Sequence, residues 1–307
     1  MQTKELITAR KLFNKSKFED VLDLLDNVDK PEDLVNLDKI MYYLLKSSLF
    51  FRYRKDEQCI KYAEIALRES KNLGYALYTI DALLNISWAA LWLGDFSKAL
   101  NSISRSENLL KTLPNIKISE HERREAFIYF IMACTAWFKA DKNGLDLARK
   151  SLEIRQRLGI KHEVVESYSI ICGYSTYFRE DLDNTLELLK SCHKLSIEIN
   201  HPWTYTFNPK NFGEIYYLKG DLKKALFYYK KAVLAFEKDN LLPTISTISE
   251  IGNIYKEMGD LNQCCNFLKR SYRIAVNTNN NWLKSEIMAN LIEVLVIRGN
   301  FKHAEKY

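Results

Sequence analysis

The chain has 307 residues, 47% of them apolar and 27% charged, which excludes a disordered polypeptide. Ten glycines and five prolines make up about 5% of the chain where average usage gives about 12%, too few turn formers for a many-stranded sandwich or barrel. A net charge of +6 spread over so large a molecule does not call for a nucleic-acid partner.

In chain order, the first helical hairpin turns near Lys17-Phe18 and the second at Lys55-Asp56. Residues 75–93 form the most apolar stretch, yet they carry Asp81 and Asn85 and keep register with their neighbours, so they are predicted to be a buried helix rather than a membrane span. The stretch ends at Leu93-Gly94-Asp95-Phe96. A loop at Leu113-Pro114-Asn115 follows, and Ser119-Glu120-His121-Glu122 has the form of a capping box. Further turns fall at Ala140-Asp141, Glu180-Asp181, Lys219-Gly220-Asp221-Leu222, Met258-Gly259-Asp260-Leu261 and Arg298-Gly299-Asn300-Phe301. Pro31, Pro202 and Pro243 suit helix starts, whereas Pro209 falls midway along an expected helix and is predicted to kink it or delay its start to Asn208, widening a groove beside Lys210 and Asn211. From Asp56 to Asn300 the intervals between turns are 39, 46, 40, 40, 39 and 40. Each unit of about forty residues holds two helices, which makes about eight antiparallel pairs.

Within these units Phe212-Gly213-x-x-Tyr216 is followed by Ala225-x-x-x-Tyr229, and Ile251-Gly252-x-x-Tyr255 by Cys264-x-x-x-Leu268. This resembles the tetratricopeptide repeat, in a variety longer than its usual 34 residues. The resemblance implies an all-α, right-handed superhelical solenoid, here read as one array over 1–307, cut short within its last repeat. A HEAT-like array is the rival on length; small-residue slots on both helices favour the tetratricopeptide pattern. Eight residues before the turn stand Ser48, Ser87, Ala133, Gly173, Gly213 and Gly252, with Ile292 breaking the rule in the last unit. The second helices answer with small residues such as Ala99, Ala225, Ala232 and Cys264.

A solenoid of helix pairs offers a concave binding surface, and the resemblance implies that the first helices line it and hold a peptide. Residues four, seven and ten before each turn share a helical face. They nominate Asn85 and Trp88, Trp137, Tyr174 and Tyr177, Asn211, Glu214 and Tyr217, Asn253 and Lys256, then Asn290 and Glu293, with Lys210 beside Asn211. Aromatic side chains supply contact area, and an Asn amide can bond both groups of a peptide backbone. A two-carboxylate clamp of the kind some family members use is not complete, because Glu214 and Ser249 stand where Asn and Lys belong.

No catalytic or metal motif is present. His121-Glu122-Arg123-Arg124-Glu125 lacks a second zinc-spaced His, and the five histidines fall mostly at helix boundaries or exposed faces. The six cysteines show no knuckle spacing and read as reduced packing residues in a cytoplasmic protein. Basic clusters such as Arg52-Tyr53-Arg54-Lys55 are interleaved with acids. The segment 301–307 ends partway through a helix, which leaves Leu291, Ile292, Val294, Leu295, Val296 and Ile297 to be covered by further sequence or by self-association. The function expected is a non-catalytic scaffold or interaction module that binds a protein or peptide without cofactor, nucleic acid or membrane. The alternative is the ligand- or peptide-sensing domain of a regulator whose effector part lies outside this chain.

Overall fold

The computed structural model describes residues 3–28, 30–113, 117–202, 204–236, 241–277 and 281–307. Among the described residues there are sixteen α-helices and no strand. They run α1 (Thr3–Asn14), α2 (Phe18–Asp26), α3 (Asn36–Arg52), α4 (Asp56–Asn72), α5 (Ala76–Trp92), α6 (Phe96–Thr112), α7 (Ile118–Phe138), α8 (Gly144–Leu158), α9 (Lys161–Tyr177), α10 (Leu182–Glu198), α11 (Thr204–Leu218), α12 (Leu222–Phe236), α13 (Leu241–Glu257), α14 (Leu261–Ala275), α15 (Asn281–Ile297) and α16 (Phe301–Ala304). These are the eight expected pairs. The expected buried helix within 75–93 is α5, about two-thirds of which is buried, and no described helix is long and apolar enough to cross a membrane. The chain divides into two compact units, Met1–Tyr174 with Lys190–Thr204, and Ser175–Leu189 with Tyr205–Tyr307.

One turn geometry closes the first helix of every pair. A residue with positive φ, namely Ser16, Arg54, Gly94, Ala140, Arg179, Gly220, Gly259 or Gly299, precedes an amide that bonds back five residues. Such a closure satisfies carbonyls that the helix end would leave bare, and the left-handed residue makes it reachable. Lys55 therefore occupies the place of Asp95, and Glu180 that of Asp221: Lys55 N–H bonds Phe50 O, Glu180 N–H bonds Ser175 O, and Asp221 N–H bonds Tyr216 O. The turn assignment at Asp56 and Asp181 was thus one residue late.

The slots follow the corrected register. Ser47, fully buried, donates to Cys59 O at 2.9 Å, as Ser87 donates to Ala99 O at 2.9 Å. A Cβ on Gly213 would stand 2.7 Å from the Tyr229 ring, and one on Gly252 would stand 3.0 Å from Leu268. In the fifth pair Cys172 takes the slot, not Gly173, where an added Cβ would meet only the Trp137 indole nitrogen, at 3.8 Å.

Three other expectations change. The capping box is absent, because α7 starts at Ile118 with Lys117 as a cap that makes no side-chain bond; Glu120 and Glu122 pair with Arg124 and Arg157 instead. Helix α11 begins at Thr204 and continues through Pro209, so the start is not delayed to Asn208. In the last pair Leu291, Val294 and Leu295 are buried against Cys264, Cys265 and Leu268, while Val296 and Ile297 are exposed. Pro114 and Asn115 lie outside the described residues.

Filling a slot is expected to cost about 1–3 kcal/mol, so Gly213→Leu and Ala232→Phe should each lower the thermal midpoint. Ala140 is exposed at φ 53°. Because an L side chain in that region costs about 1–2 kcal/mol, Ala140→Gly should stabilise the chain by up to about 1 kcal/mol in urea titration.

Candidate functional site: the inner helix faces

In the first unit the inner faces of α3, α5, α7 and α9 are joined by polar contacts. Asn85 on α5 donates to Ser47 Oγ at 3.2 Å and Ser48 Oγ at 3.0 Å on α3. Arg124 on α7 reaches Asp81 on α5 at 2.7 Å, and Arg123 reaches Glu163 on α9 at 2.7 Å. Arg52 at the end of α3 meets Glu166 on α9 at 3.2 Å, both almost fully buried. Arg155 on α8 lies 3.6 Å from Glu166 and donates to Glu163 O and Ser167 Oγ. The α1–α2 turn packs on this network: Ser16 Oγ is 2.9 Å from His162 Nδ1, and Phe13 and Phe18 set ring edges on His162. Arg52 lies 4.8 Å above the Phe13 ring.

Burial alone would raise the Glu166 carboxyl, but Arg52, with His201 and Arg155, outweighs it and holds the group below its ordinary 4.5. His162 is pushed well below 6.5, first by burial and then by Arg52 and Arg123. Sequence reasoning missed this cluster. In the sequence Arg52 belongs to a basic cluster interleaved with acids, and the histidines fall mostly at boundaries or exposed faces; His162 and His201 do sit at helix boundaries, yet both are fully buried.

The predicted wall residues divide accordingly. Trp88 is 1% exposed and stacks on Phe130 at 5.1 Å, so it is core and not an open wall. Tyr174 is also core, its hydroxyl donating to Ala133 O at 2.7 Å; with the turn register corrected it aligns with the buried Ile215. Trp137 is half-buried, and its indole N–H has no acceptor.

In the second unit the nominated residues remain partly or fully exposed. Tyr177 is 56% exposed. Lys210 lies 3.8 Å from Glu214 on α11. The Tyr217 hydroxyl of α11 donates to Glu257 of α13, and Lys256 of α13 bonds Glu293 of α15 at 2.9 Å. Asn211, Asn253 and Asn290 are half-buried on these three first helices. Burial raises the Glu250 carboxyl above its ordinary value against the pull of Lys210, and Asn253 is its hydrogen-bond partner. Asn253 Oδ1 is left buried with no donor.

The family model of the tetratricopeptide repeat matches residues 211–239 and 246–276, which are α11 with α12 and α13 with α14. These two helix pairs are tetratricopeptide repeats. The tetratricopeptide-type fold extends over the rest of the chain. A Rap protein solved with Competence and Sporulation Factor is 17% identical with a TM-score of 0.69, over 98% of this chain and 88% of that one. A signal transduction ATPase with a tetratricopeptide repeat sensor from Pyrococcus horikoshii is 14% identical with a TM-score of 0.67, over 100% of this chain and 45% of that one. The apo quorum sensor NprR from B. thuringiensis is 12% identical with a TM-score of 0.60, over 99% and 96%. No curated protein matches the chain.

Removing one partner from a buried ion pair costs about 3–5 kcal/mol, so Glu166→Gln should lower stability by that order in denaturant titration. His162 titrates near 6.5 when unfolded and well below it when folded. The unfolded chain therefore takes up the proton first, and stability should be full above about pH 7 and fall as pH drops through 6.5. The stability difference between pH 7.5 and pH 5.5 should shrink in His162→Gln.

Proposed function

We propose that the chain is a non-catalytic recognition module whose inner helix faces hold a peptide segment of a partner. The observation that carries this reading is Asn253: its amide serves Glu250 while its Oδ1 is buried without a donor. An unmet buried acceptor costs about 1–3 kcal/mol, and a turn of the half-buried Asn253 side chain toward a peptide N–H would remove that cost. Asn211 and Asn290 stand on the flanking first helices, and Lys210, Tyr217, Lys256 and Tyr177 supply charge and aromatic surface in the same unit. In the first unit Asn85 is buried with its amide bonded to Ser47 and Ser48, and Trp88 and Tyr174 are core, so of these nominated residues only the half-buried Trp137 keeps exposed surface.

The likeness in fold to a Rap protein solved with a signalling factor and to a quorum sensor supports a sensing form of this role, in which binding is read by another domain or partner. Asn and Lys donors paired within the wall suit an extended backbone better than a single small molecule.

A library of random hexapeptides passed over the immobilised full-length chain should yield binders. Asn211→Ala/Asn253→Ala should weaken them at least about tenfold in fluorescence polarisation while the circular dichroism melt is kept. Equal affinity in the double variant would remove the wall assignment.

A further inference from the structure

The first unit contains a cavity of about 110 Å³ whose charged lining is four guanidinium groups, Arg10, Arg52, Arg123 and Arg124, against two carboxylates, Asp81 and Glu163. At about 30 Å³ per water, it has room for roughly three or four waters, the scale of one short acid side chain. Asn85 lines the same space.

The arginines are unequally satisfied. Arg124 is used up: its three nitrogens meet Leu77 O, Glu120 and Asp81. Arg123 directs Nε and Nη2 to a single oxygen of Glu163, which leaves Nη1. Arg52 bonds Ser48 O and Glu166 through its two terminal nitrogens, while its Nε is buried without an acceptor, on a side chain only 6% exposed. Arg10 has no carboxylate within ion-pair distance among the described residues; it gives one bond to Tyr78 OH at 3.1 Å and lies 5.6 Å from that ring. A guanidinium carries five donors in a planar fork that suits a carboxylate. Adding the acids just outside the cavity, Glu120 and Glu166, and Arg155 behind them still leaves five guanidinium groups for four carboxylates.

We propose that this cavity is a carboxylate subsite of the first unit, which takes an Asp or Glu side chain of a peptide lying on the inner faces of α3, α5 and α7, beside Arg10 and Arg123. The entering carboxylate would accept from Arg123 Nη1 and bring a counter-charge within ion-pair distance of Arg10, where Arg10 and Tyr78 are half-buried and Asn14 is exposed. The subsite rests on the reading of the inner wall as a peptide site and names the side-chain chemistry that site selects.

The test uses the same hexapeptide library on the full chain, scored for residue type at each position. Wild type should retain peptides with Asp or Glu fixed at one position, and replacing that residue with Asn or Gln should weaken binding about tenfold or more. Arg10→Gln, on a half-buried side chain at the mouth, should lose that preference while peptides lacking the acid bind as before. Retained peptides with no acidic position, or an acidic preference unchanged in Arg10→Gln with the same melting temperature, would overturn the subsite and leave the peptide-binding reading standing. Retention of no peptide at all would overturn both.

Discussion

Everything in this fold depends on how closely two consecutive helices can approach. At the slots the side chain of the first helix is Ser47, Ser87, Ala133, Cys172, Gly213 or Gly252, and in four of these pairs small Cys59, Ala99, Ala225 or Cys264 stands twelve residues later. Where the slot is glycine, a Tyr229 ring or a Leu268 side chain fills the space; where it is serine, the hydroxyl closes the gap by bonding a carbonyl across it. Both devices bring the backbones together without a void, and native packing density demands this of any interior. With that distance set, the first helices of successive pairs present their remaining faces to one another, and polar side chains meet from pair to pair.

The two units use that inner face differently. In the first, four helices come close enough for Arg52 of α3 to pair with Glu166 of α9, and the α1–α2 turn caps the contact with two phenylalanines. Taking such charges out of water is expensive, and paired hydrophobic residues of similar volume would often be as stable. In the second unit the corresponding pairs, Tyr217 with Glu257 and Lys256 with Glu293, stay at the surface, where ion pairs contribute little.

Much of the architecture was legible in the sequence because its period is marked by glycine. Gly94, Gly220, Gly259 and Gly299 occupy left-handed positions that other residues avoid, and each announced its turn. Where Arg54, Ala140 and Arg179 adopt the same backbone, nothing in the residue type signals it, and the nearest aspartate is the only mark of the turn. At Lys55 and Glu180 that was one residue late, which moved Ser48 and Gly173 into slots belonging to Ser47 and Cys172 and brought Tyr174 out of the core onto an imagined wall. The buried arginines were hidden for another reason. Periodicity reports where apolar residues point, and a charged residue satisfied by another sixty or a hundred positions away, as Arg52 is by Glu166, looks like any solvated one.

All six cysteines are buried and lie outside any disulfide, and burial lifts the thiols of Cys59 to about 12 and Cys264 to about 11. Since only the thiolate attacks an alkylating reagent, none should react quickly while its helix pair is closed. The sulfurs are spread along the chain, on α4, α7, α9, α10 and α14. Each is a native chemical clock for the opening of its own neighbourhood, so the order in which they become modified would trace how this stack of hairpins comes apart.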